Sequence, residues 1–257
     1  MDPDKLLELA CSLVDTGAER GVTLRILGSL AARSHIGNAG GFLDLLQRVP
    51  THDIDFMGYS SQQKQADRMF IDLGYKPDPS VAFSLEYGVK RLIYHNKEQQ
   101  IMAEIFLDEL KMAHTLDFQG RLELDYPTIS LVDLLLSKLQ IQQITEKDIK
   151  DMIAVLAEHD LGSGDREKID VNYLLELTGK NWGLYFTALT NLGLVKQWLP
   201  RYEVIDISTR QSIEAKLAEM MEQMESSPKS LRWKLRSMVG TRVRWYETVG
   251  DVFDVHK

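Results

Sequence analysis

Cysteine is all but missing from this sequence: Cys11 is the only one among 257 residues, so no disulfide can close within the chain. A reducing compartment suits such a chain better than secretion, and the cytoplasm is the expected location. Long apolar runs are missing too. No stretch approaches the roughly 18 residues that a membrane span needs, so no membrane partner is expected. The opening residues, MDPDKLLELACSLVD, are acidic and amphipathic, without the basic and apolar segments of a signal or transit peptide. Positive charge is in deficit: 30 Lys and Arg stand against 38 Asp and Glu, for a net charge of -8. That balance argues against nonspecific nucleic-acid binding by the protein as a whole. HExxH, a P-loop, GxSxG and Cys/His metal spacings are all absent, which removes the chemistries they carry. There is no internal repeat and no low-complexity tract.

What is present is a globular composition, 44% hydrophobic and 26% charged, long enough for one large domain or two modest ones. Leu6, Leu7, Ala10, Leu13 and Val14 recur at helical spacing and predict a helix over 4–19. VTLRILG, 22–28, reads as a buried strand running through Gly28-Ser29 into a helix over 29–35. The glycines and proline of 36–50 predict loop or a broken helix. HDIDFMG alternates and reads as a strand, and 61–73 as a helix. GVKRLIYH and IMAEIFL, joined by NKEQQ, predict an antiparallel hairpin, with a short strand at 121–125. From Thr128 the period becomes 3.6. Ser130 with Asp133, and Thr145 with Asp148, predict capping boxes opening helices over 131–143 and 146–158. HDLGSGDR, 159–166, is the linker candidate. Helices follow over 170–179, 182–198, 208–226 and 228–248. The fold class is therefore α+β: a small mixed or antiparallel sheet flanked by helices, followed by an all-helical C-terminal region. The expected division is 1–160 as the core and 161–257 as the helical domain.

Asp53 and Asp55 are the pair to weigh first. On a strand, residues two apart project from one face. Two adjacent carboxylates repel unless a cation lies between them, and Mg²⁺ favours such an oxygen-rich setting. The bare motif decides nothing, because this composition yields roughly six acid-x-acid pairs by chance. Its surroundings add weight. The strand-to-helix turn at Gly28-Ser29 offers bare backbone N–H groups and a positive helix end, which suit phosphate. Glu104 lies on a later strand. An even hairpin loop would put Arg91 on the same face, placed to pair with Glu104 or to reach a phosphate.

A strand, Gly-Ser, helix, Asp-x-Asp strand and third acid, in that order over residues 20–158, resemble the polymerase-β-like nucleotidyltransferase superfamily, and within it the AbiEii-type bacterial nucleotidyltransferases. SLVDLLLSKLQIQQITEKDIKDMIAVL is similar to that family's Lys-containing helix and its following Lys/Arg-Asp segment, here Lys138 and then Lys147-Asp148. The gap from Ser29 to Asp53 is longer than the family's, which implies an insertion around 36–48. Glu104 stands where the family commonly has Asp, with Asp108 as the fallback. The resemblance implies that Asp53, Asp55 and Glu104 hold two Mg²⁺ ions, with Mn²⁺ as a substitute, and act on a nucleoside triphosphate such as ATP. Gly28, Ser29, Lys138 and Arg91 would contact its phosphates. It implies transfer of a nucleoside monophosphate to an RNA, protein or small-molecule acceptor, and the toxin role of AbiEii-type proteins implies an antitoxin partner. The competing reading is a catalytically silent nucleotide- or protein-binding module on the same fold.

The C-terminal segment reads differently. Residues 228–257 hold seven Lys and Arg against three Asp and Glu, a local excess of four positive charges. Lys229, Arg232, Lys234, Arg236, Arg242 and Arg244 interleave with Trp233, Trp245 and Tyr246. Basic residues among aromatics suit phosphate contact and base stacking, which makes an RNA-binding accessory protein the third reading. A helix with inward tryptophans, its arginines paired to the protein's own carboxylates, is the ordinary alternative.

Overall fold

The computed structural model describes residues 2–49, 53–79, 90–164 and 167–248. His52, Gly88 and Val89, which the sequence assigns to strands, lie outside them. The chain folds as two compact units. One comprises Met1–Gly40, Val49–Leu110 and Leu116–Ser130; the other comprises Gly41–Arg48, Lys111–Thr115 and Leu131–Lys257.

The first unit is built on a five-stranded mixed sheet. Its strands are β1 (Leu24–Ile26), β2 (Asp53–Gly58), β3 (Lys76–Pro77), β4 (Arg91–Asn96) and β5 (Ile101–Leu107), in the order β1-β2-β5-β4-β3. β2 and β5 are parallel; the other neighbours are antiparallel. The helices of this unit are α1 (Pro3–Glu19), α2 (Gly28–His35) and α4 (Gln63–Asp72); between α2 and β2 lies α3 (Gly37–Leu45). α3 settles the 36–50 segment, expected as loop or broken helix, as a helix for nine residues.

The alternation read in the sequence divides this sheet into two faces. Ile54, Phe56, Leu92, Tyr94, Ala103, Ile105 and Leu107 fall on one face with Leu24 and Ile26, all fully buried. Phe70 of α4 stacks on Tyr94 there, ring centroids 4.6 Å apart, and meets Phe56 edge-on. The other face carries Arg25, Asp53, Asp55, Arg91 and Glu104. Burial of the first face contributes most to stability; the second sets these charged side chains among Met57, Ile93, Met102 and Phe106.

Two short strands, β6 (Glu109–Lys111) and β7 (Thr115–Asp117), pair with each other. The strand expected at 121–125 is a run of turns, with Arg121 N–H bonded to Phe118 and Leu124 N–H to Arg121. RLELD does alternate, but the Leu122 N–H meets the Tyr59 hydroxyl at 3.4 Å instead of a neighbouring strand.

The second unit is helical: α5 (Leu131–Leu139), α6 (Glu146–Glu158), α7 (Val171–Lys180), α8 (Trp182–Trp198), α9 (Ile207–Ser226) and α10 (Leu231–Val239). The expected capping box at Thr145 and Asp148 opens α6. α5 and α6 pack within this unit, together with residues 41–48 and 111–115. Their faces are almost wholly apolar and buried, which ties them to α8. The linker candidate holds β8 (Asp160–Gly162), which pairs in parallel with β9 (Lys168–Asp170) beyond it. α10 is shorter than the helix expected over 228–248. It ends at Gly240, where φ is +59°, and the Arg236 guanidinium donates to the carbonyls of Gly240 and Val243, bending the chain into a turn. Among the described residues, no helix is long and apolar enough to cross a membrane.

Candidate functional site

The polar face of the sheet brings three predicted acids together in register. Asp55 of β2 pairs directly with Glu104 of β5, and Asp53 lies one pleat along the same face, opposite Met102. Asp53 is exposed, Asp55 half-buried and Glu104 buried. The register of β4 puts Arg91 on this face as well, diagonal to Glu104, and the two form an ion pair. The face-sharing inferred from an even loop is thus what the hairpin adopts. Burial pulls the Arg91 guanidinium below its usual pKa, and the nearby Asp55 carboxylate opposes that shift.

Gly28 closes the site from the side. The Leu27 N–H donates to the Asp55 carbonyl at 2.8 Å, so the start of α2 is tied to the middle of β2. Gly28 follows with φ of +69°, and a Cβ there would stand 2.8 Å from Asp55 Oδ2. Only glycine lets the helix begin so close to that carboxylate. The N-cap of α2 is Leu27, whose side chain makes no capping hydrogen bond. The first-turn N–H groups of α2 therefore receive no side-chain acceptor from their own cap, and the helix end carries partial positive charge. Ser29 follows in that first turn, partly exposed.

The other candidates are differently engaged. Asp108 is buried with φ of +63° and accepts from the Ser60 N–H at 2.9 Å, with Lys90 3.3 Å away. Burial raises its pKa, but Ser60 and Lys90 outweigh it and leave the carboxyl below its ordinary value. Lys138, in the second unit, is inside a buried charge cluster. Its Nζ lies 3.0 Å from both Asp148 and Asp151, and Arg48 Nε donates to Asp151 at 2.8 Å. Burial works against the ammonium; Asp151 and Asp148 outweigh it and raise the Lys138 pKa. Arg48 and Asp151 carried no signal in the sequence, since the contact joins residues 103 apart.

Among the described residues no three His, Cys, Asp or Glu side chains form a group that could hold a metal by themselves. A two-carboxylate site does not need one. Mg²⁺ is commonly held by one or two carboxylates and completes its octahedron with water and substrate phosphates. Asp53 and Asp55, beside a helix that begins at Gly28, fit that kind of site.

No family model matches the chain, and no curated protein does. Two solved structures are similar to it. One is the lincosamide antibiotic adenylyltransferase LnuA with lincomycin bound, 17% identical over 56% of this chain and 92% of that one, with a TM-score of 0.38. The other is the antibiotic-resistance factor ANT(2'')-Ia, 12% identical over 60% of this chain and 83% of that one, with a TM-score of 0.40.

Proposed function

We propose that the protein is an Mg²⁺-dependent nucleotidyltransferase, moving a nucleoside monophosphate from a nucleoside triphosphate to a hydroxyl-bearing acceptor. The observation that carries the reading is the contact at Gly28: a helix whose first residue lacks a side chain, set against Asp55 on the face that also bears Asp53 and Glu104. Asp53 and Asp55 would hold the cation, and Glu104 would contribute to a second. Bound there, the metal supplies positive charge that neutralises the triphosphate and favours in-line displacement. The first-turn amides of α2, from Gly28 and Ser29, bind phosphate oxygens through backbone N–H groups. The acceptor oxygen attacks the α-phosphorus, the bond to the bridging oxygen breaks, and pyrophosphate leaves. Glu104 accepts the hydroxyl proton, and Arg91 exchanges Glu104 for a phosphate oxygen as charge builds.

The test is to incubate the protein with each α-labelled nucleoside triphosphate, Mg²⁺ and a cell extract, and to follow the label into RNA, protein or small molecules. Wild type should label one class and release pyrophosphate; Asp53→Asn with Asp55→Asn should bind no Mg²⁺-triphosphate. Equal triphosphate binding by wild type and double mutant would remove the proposal. The ion pair between Arg91 and Glu104 favours one rival, a module that binds nucleotide without transfer. Glu104→Gln separates the two. Under the enzyme reading it keeps nucleotide binding and loses transfer, the pattern of an interaction needed only in the transition state. Under the rival reading wild type itself binds and labels nothing.

A further inference from the structure

The C-terminal segment builds a cleft in the second unit that plays no part in the chemistry above. Its volume is about 380 Å³, and Trp182, Trp233 and Trp245 line it together with Lys180, Arg232 and Arg236. Such a size is in the range of small-ligand sites. Trp182 and Trp245 meet edge-on at 6.3 Å, and Trp245 is fixed by its indole N–H donating to the Thr187 hydroxyl at 3.1 Å. Gly183 permits this: a Cβ there would stand 2.6 Å from the Trp245 carbonyl oxygen. The aromatic walls are thus held by α8 as well as by the segment that the sequence singled out.

The cations of the cleft are set in two ways. Arg236 stacks over the Trp182 ring at 4.7 Å while donating to the Gly240 and Val243 carbonyls, so its charge is held in place by backbone. Arg232 is exposed and makes no hydrogen bond or ion pair among the described residues. Lys180 pairs with Glu176 at 2.6 Å, but both side chains are largely exposed, and such a pair is worth little against a phosphate. Lys234 and Arg242 are exposed as well. The net charge of -8 makes this local excess the more telling, because an acidic surface repels polyanions unless a basic site receives them.

We propose that this cleft binds single-stranded nucleic acid, with one unpaired base against Trp233 and Trp245, since Phe186 and Arg236 already cover the Trp182 ring, and with the adjoining phosphates at Arg232 and Lys180. Indole faces stack on any base, and cations at the rim track a backbone. A duplex has its base faces already stacked and cannot enter. Two exposed rim cations, Arg232 and Lys180, beside an aromatic wall suit successive phosphates around a base better than a lone anion. The proposal rests on the second unit alone and is independent of Asp53 and Asp55.

The experiment uses the full chain and a labelled single strand of about twelve nucleotides, of mixed sequence, as RNA and as DNA, in an anisotropy titration across about 50 to 200 mM salt. Either strand should bind, with affinity falling as salt rises; the tighter of the two identifies the sugar preferred. Arg232→Gln with Lys180→Gln removes two phosphate contacts. It should flatten the logarithmic salt slope by about 1.4 and weaken low-salt binding by on the order of tenfold. The unlabelled strand should quench tryptophan emission in wild type, three of whose four tryptophans line the cleft, and quench it much less in the double variant. Thermal melts should coincide, since both replaced residues are exposed. The proposal is overturned if neither strand binds, if the double variant binds as wild type does, or if UMP or a duplex of the same sequence binds as tightly as the strand.

Discussion

Gly28 shows how much a single missing side chain can decide. Gly28→Ala would face both an unfavourable left-handed backbone, about 1 to 2 kcal/mol, and a collision with the Asp55 carboxylate. Gly21 shares the positive φ, at +72°, but has open space around its Cβ position. Gly21→Ala should therefore lose comparable stability in a melt and keep Mg²⁺-triphosphate binding, whereas Gly28→Ala should lose both. Equal nucleotide binding by the two variants would disconnect Gly28 from the site. His114 makes a second residue-scale case. It is buried against Thr187, with a 2.9 Å hydrogen bond between Nε2 and the hydroxyl, and burial pushes its pKa down to about 4. In the unfolded chain it titrates near the ordinary 6.5. Between those values only the unfolded state takes up the proton, so stability is full above about 6.5 and is lost as pH falls toward 4. His114→Gln should flatten that portion of a Tm-against-pH curve.

At the scale of elements, α5 and α6 are joined by charge inside an apolar setting. Lys138 and Asp148 are each mostly buried, and Asp151 almost wholly so. Removing one partner of a buried pair costs about 3 kcal/mol or more. Lys138→Met should therefore destabilise the protein, with Arg48 still covering Asp151 and holding the loss toward the lower end. The pH dependence has a definite sign. Burial raises the Asp148 pKa, but Lys138 and Thr145 lower it further, below the ordinary 3.8. Its contribution is present above about 3.8 and fades as pH falls through the lower folded value. The Tm gap between wild type and Lys138→Met should thus narrow in acid. A gap that widened there would contradict the cluster. If Lys138→Met kept its Tm and lost only triphosphate binding, Lys138 would be a phosphate ligand rather than part of the scaffold.

Across the whole molecule, what the sequence discloses follows from the range of the interactions involved. β2 is legible because Ile54 and Phe56 alternate with Asp53, Asp55 and Met57 within one short run. The Arg91 and Glu104 pair is legible because a short hairpin loop fixes its own register. The α6 box is legible because Thr145 and Asp148 are three residues apart. The cluster that holds Lys138 is not, since Arg48 arrives from far upstream. The same distance hides Lys180 and Trp182, which complete a cleft whose other wall, Trp233 and Arg236, was visible as composition. The bend after Gly240 was hidden for a different reason. Helical periodicity runs on through 240–248, and only the Arg236 bonds to carbonyls ahead of it show where the chain turns away.

The two-faced sheet also has a meaning for how this protein can change over generations. Along β2 the odd-numbered residues 53 and 55 carry the proposed chemistry, and the even-numbered 54 and 56 carry the fold. Along β5 the parity is reversed, with Glu104 set between Ala103 and Ile105. Under the proposed function a mutation at Asp53 or Asp55 changes what the protein does and one at the apolar positions changes whether it folds, while Glu104, buried against Arg91, bears on both. The pleat thus lets the acids of the proposed site at Asp53 and Asp55 vary on separate codons from the apolar residues that hold the sheet.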